Sequence, residues 1–284
     1  MSGMPLAFLP SPARGLWHLG PIPFRAQELA IAAGIIVAIA IADRGYRSAG
    51  GPRGVIVDIA AWAIPAGLIP AAIGALTAQT STQPWQAVHS VDAIVGLPGA
   101  VALGTLAAWY ACRRVRLPDR IKFAPVLSAA APAIAFGNAV AQLGDWFTQQ
   151  GFGRPSSLPW AVAISPAHRP LDYENFATFT PIFLYQAIWD VTAGIGVILI
   201  ARRLALSGDR VFALGAIAYA AGGFALFWLG IGHLPIILGL RAGELGDAVV
   251  LVGAVAYLVR THRTRTRTIQ SAHKPTLERD YPVM

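Results

Sequence analysis

The chain has 284 residues, 55% of them hydrophobic and only 13% charged, with a mean hydropathy of +0.56; a water-soluble domain carries about 25% charged residues, so that class is excluded. The net charge of +8 would suit nucleic acid. However, the basic residues stand in short clusters beside apolar runs, an arrangement that orients membrane helices, and no nucleic-acid partner is expected. A single cysteine, Cys112, excludes an internal disulfide, and no cluster has metal-ligand spacing, so neither metal nor cofactor is expected.

The N-terminal stretch MSGMPLAFLPSPARGLWHLGPIPFRAQ lacks the basic start and apolar core of a cleaved signal peptide, which leaves targeting to the first membrane helix. Crossing a ~30 Å hydrocarbon layer takes about 20 apolar residues in a helix. Segments of that kind recur near 27–44, 54–78, 91–112, 121–143, 180–202, 210–231 and 244–261. Lipid leaves open backbone groups unsatisfied and no strand-like alternation suggests a barrel, so the expected fold class is all-α, a polytopic bundle of seven transmembrane helices.

Positively charged loops stay on the cytoplasmic side. Arg44, Arg47 and Arg53 follow the first helix; Arg113, Arg114, Arg116, Arg120 and Lys122 follow the third; Arg202, Arg203 and Arg210 follow the fifth; and Arg260, Arg263, Arg265, Arg267, Lys274 and Arg279 lie in the tail. The other face carries Arg14, Arg25, Arg154, Arg169 and Arg241. An outside N-terminus and a cytoplasmic C-terminus satisfy every loop, with an outward loop at about 144–179. The organisation read from this is a membrane domain over 1–261 and a basic, disordered tail over 262–284.

Between two apolar spans, Ala141 to Tyr185 holds the longest polar stretch, rich in Gly, Pro, Arg and Trp. Two readings stand open there: a site at the water–lipid boundary, or a surface loop with interfacial tryptophans. Four acidic residues lie in or near spans. For Asp92 and Asp247 the helix ends suffice as explanation; Asp58 and Asp190 face either a cavity or a hydrogen-bonding neighbour helix.

Several blocks, taken in order and spacing, resemble the prolipoprotein diacylglyceryl transferase family: PSPARGLWHLGPIPFRA, VIVDIAAWAIPAGLI, VGLPGAV, GFGRPSSLPW, SPAHRP and ATFTPIFLYQAIWD. The resemblance implies a seven-helix enzyme of the bacterial plasma membrane, multi-pass, that moves diacylglyceryl from phosphatidylglycerol to a lipobox cysteine thiol. It also implies phosphatidylglycerol or another anionic phospholipid, and lipoprotein precursors, as partners. Such a site needs cations on the phosphate, a means to deprotonate the thiol and an apolar cleft for acyl chains.

Carried over position by position, the resemblance puts neutral groups where the family has charge. Its Arg-x-Gly-Asn core and following Glu fall on Gln142, Gly144, Asp145 and Gln150, a tyrosine falls on Gln27, a second asparagine on Thr148, and a downstream arginine on His233. Gln142, Asp145, Gln150 and His233 are therefore the candidate catalytic positions, all substituted. Gly137-Asn138 keeps the letters of the core but lies seven residues out of register. The fifth helix has Thr180-Pro181 and Tyr185-Gln186 where the family has His-Pro and Tyr-Glu. Arg25, Arg154 and Arg241 are the candidate head-group ligands, and Gly144, Gly153, Pro155, Trp160, Pro181 and Tyr185 the scaffold around them. A glutamine keeps an amide but neither holds a permanent charge nor accepts a proton at working pH. The expected function is lipid or lipoprotein-precursor handling with weakened or lost transfer, a pseudoenzyme, with an active transferase as the alternative. A transporter has no inverted repeat to support it.

Overall fold

The computed structural model describes residues 9–12, 15–19, 22–80, 97–114, 123–231, 236–237 and 240–272. Among them are seven helices: α1 (Ala26–Ser48), α2 (Val55–Thr80), α3 (Leu97–Arg114), α4 (Phe123–Thr148), α5 (Ile182–Arg203), α6 (Gly208–Phe227) and α7 (Ala242–Ala272). Four of these stretches, 26–48, 123–148, 182–203 and 208–226, are long and apolar enough to cross a membrane. The all-helical class expected from the sequence therefore holds.

Three boundaries differ from expectation. Helix α4 runs to Thr148, so residues 144–148 are its last turn rather than the start of a loop. No Pro or Gly interrupts RTHRTRTRTIQSA, and α7 accordingly continues to Ala272; the segment 262–272 is helical where a disordered tail was expected. Helix α6 stops at Phe227 instead of 231, because Gly230 leaves the helical path to pair with Gly153.

Helices α1 and α4 lie antiparallel and form the tightest contact in the bundle. A Cβ on Gly34 would strike the Gly137 carbonyl, and one on Gly137 would stand 2.6 Å from the Gly34 carbonyl and 2.8 Å from Ala38 Cβ. Small residues at such a crossing allow close backbone approach, the main source of helix affinity inside lipid. A core of Ala42, Tyr46, Val55, Ile56, Ala111, Val126 and Ala133 joins α1, α2, α3 and α4.

The two ends of the bundle differ in charge and in structure. At one end α4 begins against Gly208, Arg210 bonds the Thr261 carbonyl, Tyr257 Oη donates to Asp209 at 2.6 Å, and Arg47 pairs with Asp43 at 3.0 Å. The clustered arginines at the close of α1, α3, α5 and α7 gather there. Asp58 also belongs to this end, exposed in the first turn of α2, where the helix dipole favours a carboxylate; it is neither at depth nor facing a cavity.

The opposite end carries the loop between α4 and α5 together with short strands. Strand β1 (Leu9–Pro10) pairs in parallel with β4 (Val162–Ala163), which pairs antiparallel with β5 (Thr178–Phe179). Strands β2 (Leu16–Leu19) and β3 (Ile22–Arg25) make a hairpin into α1, and β6 (Ile236–Ile237) and β7 (Leu240–Arg241) make another into α7. Beneath the loop Val162, Ile164, Phe179 and Phe183 form a separate core with Trp146 and Phe152.

Replacing Gly137 by Ala overpacks the α1–α4 crossing and is expected to cost about 1–3 kcal/mol. Gly196→Ala, in α5 with nothing within 4 Å of the added Cβ, is the control and leaves stability unchanged or slightly raised. Thermal unfolding of both variants in detergent checks the difference.

Candidate functional site

The site is built from the last turns of α4, the start of α1 and the loop that follows α4. Gln27 on α1 and Asp145 on α4 meet across the crossing, the Gln27 side chain close enough to the Asp145 carboxyl to favour its charged form. Gly144 makes the meeting possible, since a Cβ there would stand 2.6 Å from Gln27 Oε1 and 2.9 Å from Ala30 Cβ. Gln27 Oε1 is itself buried without a hydrogen-bond partner, so the pair is under-satisfied as it stands. Gln142 lies one turn earlier on α4, partly exposed, and Gln150 is exposed just past the helix end, its backbone N–H closing on the Asp145 carbonyl at 2.9 Å. Three of the four predicted catalytic positions thus gather at one end of α4; the fourth, His233, lies outside the described residues.

Below this cluster opens an apolar cleft of about 520 Å³ between α1, α2, α3 and α4. On α4 its wall includes the stripe Phe123, Leu127, Ala130, Ile134, Asn138 and Ala141, the last of these adjacent in sequence to Gln142. Among the described residues, Asn138 and Thr105 are the only polar side chains in a lining otherwise made of Ile, Leu, Ala, Val, Gly and Phe. Burial of an apolar chain there gains about 25 cal/mol per Å² against water, and the shape suits an acyl chain rather than a polar metabolite.

The predicted scaffold residues hold the loop in place. Gly153 N donates to Thr180 O at 2.8 Å, Arg154 N to Leu229 O at 3.1 Å and Thr180 N to Arg154 O at 3.0 Å, which laces the Gly-Arg-Pro stretch between the entry to α5 and the exit of α6. A side chain at Gly153 would collide with the Leu229 carbonyl. Pro155 bridges to Phe179, Pro181 is fully buried, and Trp160 Nε1 donates to Tyr185 Oη at 2.7 Å. Of the predicted head-group arginines, Arg25 caps the start of α1 and Arg154 sits in the laced loop, both exposed. Arg241 closes the β6–β7 hairpin at the same end. Arg25 and Arg154 are therefore at the surface of this end, while Gln142 and Asp145 stand on α4 just beyond the residues that line the cleft.

Gln149 is a residue the sequence did not flag. It is 3% exposed, has φ of 54°, and ties three segments together. Its Oε1 accepts from Ser165 N at 3.0 Å and from Ser165 Oγ at 2.7 Å, and its Nε2 reaches Ser11 O at 3.4 Å. The Ser11 hydroxyl bonds the Trp146 carbonyl and Trp146 Nε1 reaches Pro10 O at 3.1 Å. His168 Nδ1 lies 2.9 Å from Ser165 Oγ; since that hydroxyl gives its proton to Gln149, His168 is a loop-holding residue and the pair is no nucleophile–base dyad. Arg169 is likewise structural, donating to the carbonyls of Ile164 and Glu174.

The out-of-register pair is explained by packing. Gly137 serves the α1–α4 crossing, and Asn138 Nδ2 donates to Asp190 Oδ2 at 2.7 Å. Gln186 Nε2 donates to Asp190 Oδ1 at 3.0 Å, so Asp190, 1% exposed, takes one donor on each oxygen. Of the two alternatives for Asp190, the hydrogen bond between helices is the one observed. Asp247 packs its carboxyl against Gly223 of α6, and Asp92 lies outside the described residues.

Truncating Gln149 to Ala strands the buried Ser165 N–H and releases Ser11, at an expected cost of about 2 kcal/mol. Gln149→Gly, which suits the positive φ but removes the same bonds, moves in the same direction by less. Hydrogen exchange over 150–180 measures it: the variants exchange faster there, and α2 and α3 do not change.

The family profile described as "LGT: Prolipoprotein diacylglyceryl transferase" matches residues 14–260. The chain is 37% identical over 262 residues to phosphatidylglycerol–prolipoprotein diacylglyceryl transferase 2 of Streptomyces coelicolor, covering 90% of this chain and 81% of that one. It is 38% identical over 266 residues to the phosphatidylglycerol–prolipoprotein diacylglyceryl transferase of Frankia alni, covering 92% and 69%. With the protein of the same name from Mycobacteroides abscessus it shares 35% identity over 286 residues, covering 93% and 82%.

Proposed function

Because this chain belongs to the prolipoprotein diacylglyceryl transferase family, we propose that it draws phosphatidylglycerol from the bacterial plasma membrane into the cleft between α1, α2, α3 and α4, with weakened transfer of diacylglyceryl to a lipobox cysteine. The end rich in arginine faces the cytoplasm, and the loop end, with the N-terminus, faces outward. Acyl chains occupy the apolar stripe, and the head group reaches the mouth at Gln142 and Asp145, where Arg25, Arg154 and Arg241 form an outer rim.

The observation that carries this reading is the pairing of Gln27 with Asp145 beside Gln142 at the mouth of the cleft. Transfer requires the thiolate sulfur to bond to a glycerol carbon as the bond from that carbon to the phosphodiester oxygen breaks, leaving glycerol phosphate with the electron pair. Charge grows on the phosphate in that step, so a preorganised cation at the mouth accelerates it and a carboxyl there does not. An amide at 142 donates hydrogen bonds without charge, and an amide at 150 takes no thiol proton. Loss of one such electrostatic contact typically costs ~3 kcal/mol, about 100-fold in rate.

A second reading, a fully active transferase, is favoured by the rim itself. Arg25 and Arg154 stand at the loop end with solvent-facing guanidinium groups, and the relatives are named for the transfer. Bidentate arginines are well suited to holding a phosphate. In that case the rim moves inward when lipid binds and replaces the charge missing from α4.

Complementation separates the two. In cells depleted of their own transferase, the unaltered chain is expected to give little lipid-modified preprotein by mass shift. The double change Gln142→Arg and Gln150→Glu is expected to raise the yield at least tenfold. Full rescue by the unaltered chain would refute weakened transfer and leave the second reading.

A further inference from the structure

The cleft wall has one polar break near its mouth, and it has no part in the chemistry described so far. Asn138 lines the cleft and is partly exposed to it, although a leucine or alanine would fit the rest of the stripe. It stands four residues before Gln142 on α4, which places it one turn deeper on the same side of the helix, about 6 Å along the axis. The amide is not free to rotate, because Nδ2 donates to Asp190 at 2.7 Å. Asp190 in turn is fixed by Gln186 at 3.0 Å. An NH2 group carries two protons, and this bond uses one of them.

In a diacyl phospholipid the ester carbonyls stand a few bonds inward of the phosphate, a separation close to one helical turn. They accept hydrogen bonds and cannot donate them. A lipid seated with its phosphate beside Gln142 therefore brings an ester carbonyl level with Asn138, where water is excluded and an unpaired acceptor is costly. We propose that Asn138 is an acyl-ester binding residue, its second amide proton aimed at a glycerol-ester carbonyl, and that Asp190 positions it from α5. This rests on the reading of the cleft as a phospholipid site. It adds a selection for ester-linked lipid that the head-group contacts cannot supply.

The test is competition between two lipids with one head group. The full chain is purified in detergent and exchanged with an equimolar mixture of dioleoyl phosphatidylglycerol and its dialkyl ether analogue, and retained lipid is measured by mass spectrometry. The wild type is expected to retain the diester roughly fivefold over the diether, the range of one net hydrogen bond to a neutral acceptor, and Asn138→Ala brings the ratio to about one. Asn138→Leu, with the same branching and number of heavy atoms and without a donor, gives the same ratio and replaces the alanine variant if that does not fold. A wild-type ratio of one overturns the assignment whatever the variants do. So does a diester preference that survives both changes, which would give the contact to another donor. Retention of neither lipid overturns the phospholipid cleft as well, so the two failures are distinct.

Discussion

The contact between Gly34 and Gly137 is the constraint on which the rest depends. In lipid, two apolar helices gain nothing by excluding water, so α1 and α4 hold together through close packing and whatever polar groups they bring into register. Fixing the crossing at Gly34 and Gly137 fixes what lies two turns outward, where Gly144 admits Gln27 to the side of Asp145. Gly34 and Gly137 also line the apolar cleft, so one crossing borders both the polar pair and the apolar slot.

The loop end is stabilised in a different way. It has its own core around Phe179 and Val162, short strands that pair a segment from before α1 with one after α4, and a single buried amide, Gln149, shared among three segments. Hydrogen bonds to a buried side chain are directional, so this arrangement holds the rim in register with the mouth more tightly than apolar packing alone. Gln149 follows the last turn of α4 directly, so its bonds also determine where that helix stops and where Gln150 points.

Much of this was legible in the sequence because apolar length and charge placement are strong signals. The seven helices fall close to the apolar segments, and the Gly-Arg-Pro stretch singled out in the sequence is the one laced between α5 and α6. What was not legible depends on three-dimensional partners. Nothing in the residue order marks Gln149 as buried with a left-handed backbone, since glutamine has no preference for that region. Asp58 and Asp190 looked alike in sequence, yet one is exposed in the first turn of α2 and the other is enclosed by Asn138 and Gln186. The reach of α7 to Ala272 was hidden because a run of Arg and Thr reads as a solvated tail, while nothing in it forbids a helix.

The neutral side chains at 27, 142 and 186 are best considered together with the carboxyls beside them. An arginine at 142 would need its charge balanced within a low-dielectric bundle, and a glutamate at 186 would stand one turn from the buried Asp190, where like charges repel strongly. Glutamine at 186 instead donates to Asp190. Similarly, a tyrosine at 27 would bring a ring into the space where the Gln27 amide meets Asp145 beside Gly144. Gln186 thus fits the neighbours this chain has, while Gln27 leaves its buried Oε1 unpaired. Returning charge at 142 and 150 therefore acts where the side chains are partly or fully exposed, whereas returning it at 186 removes the Gln186 donor from Asp190, the carboxylate through which Asn138 holds α4 to α5.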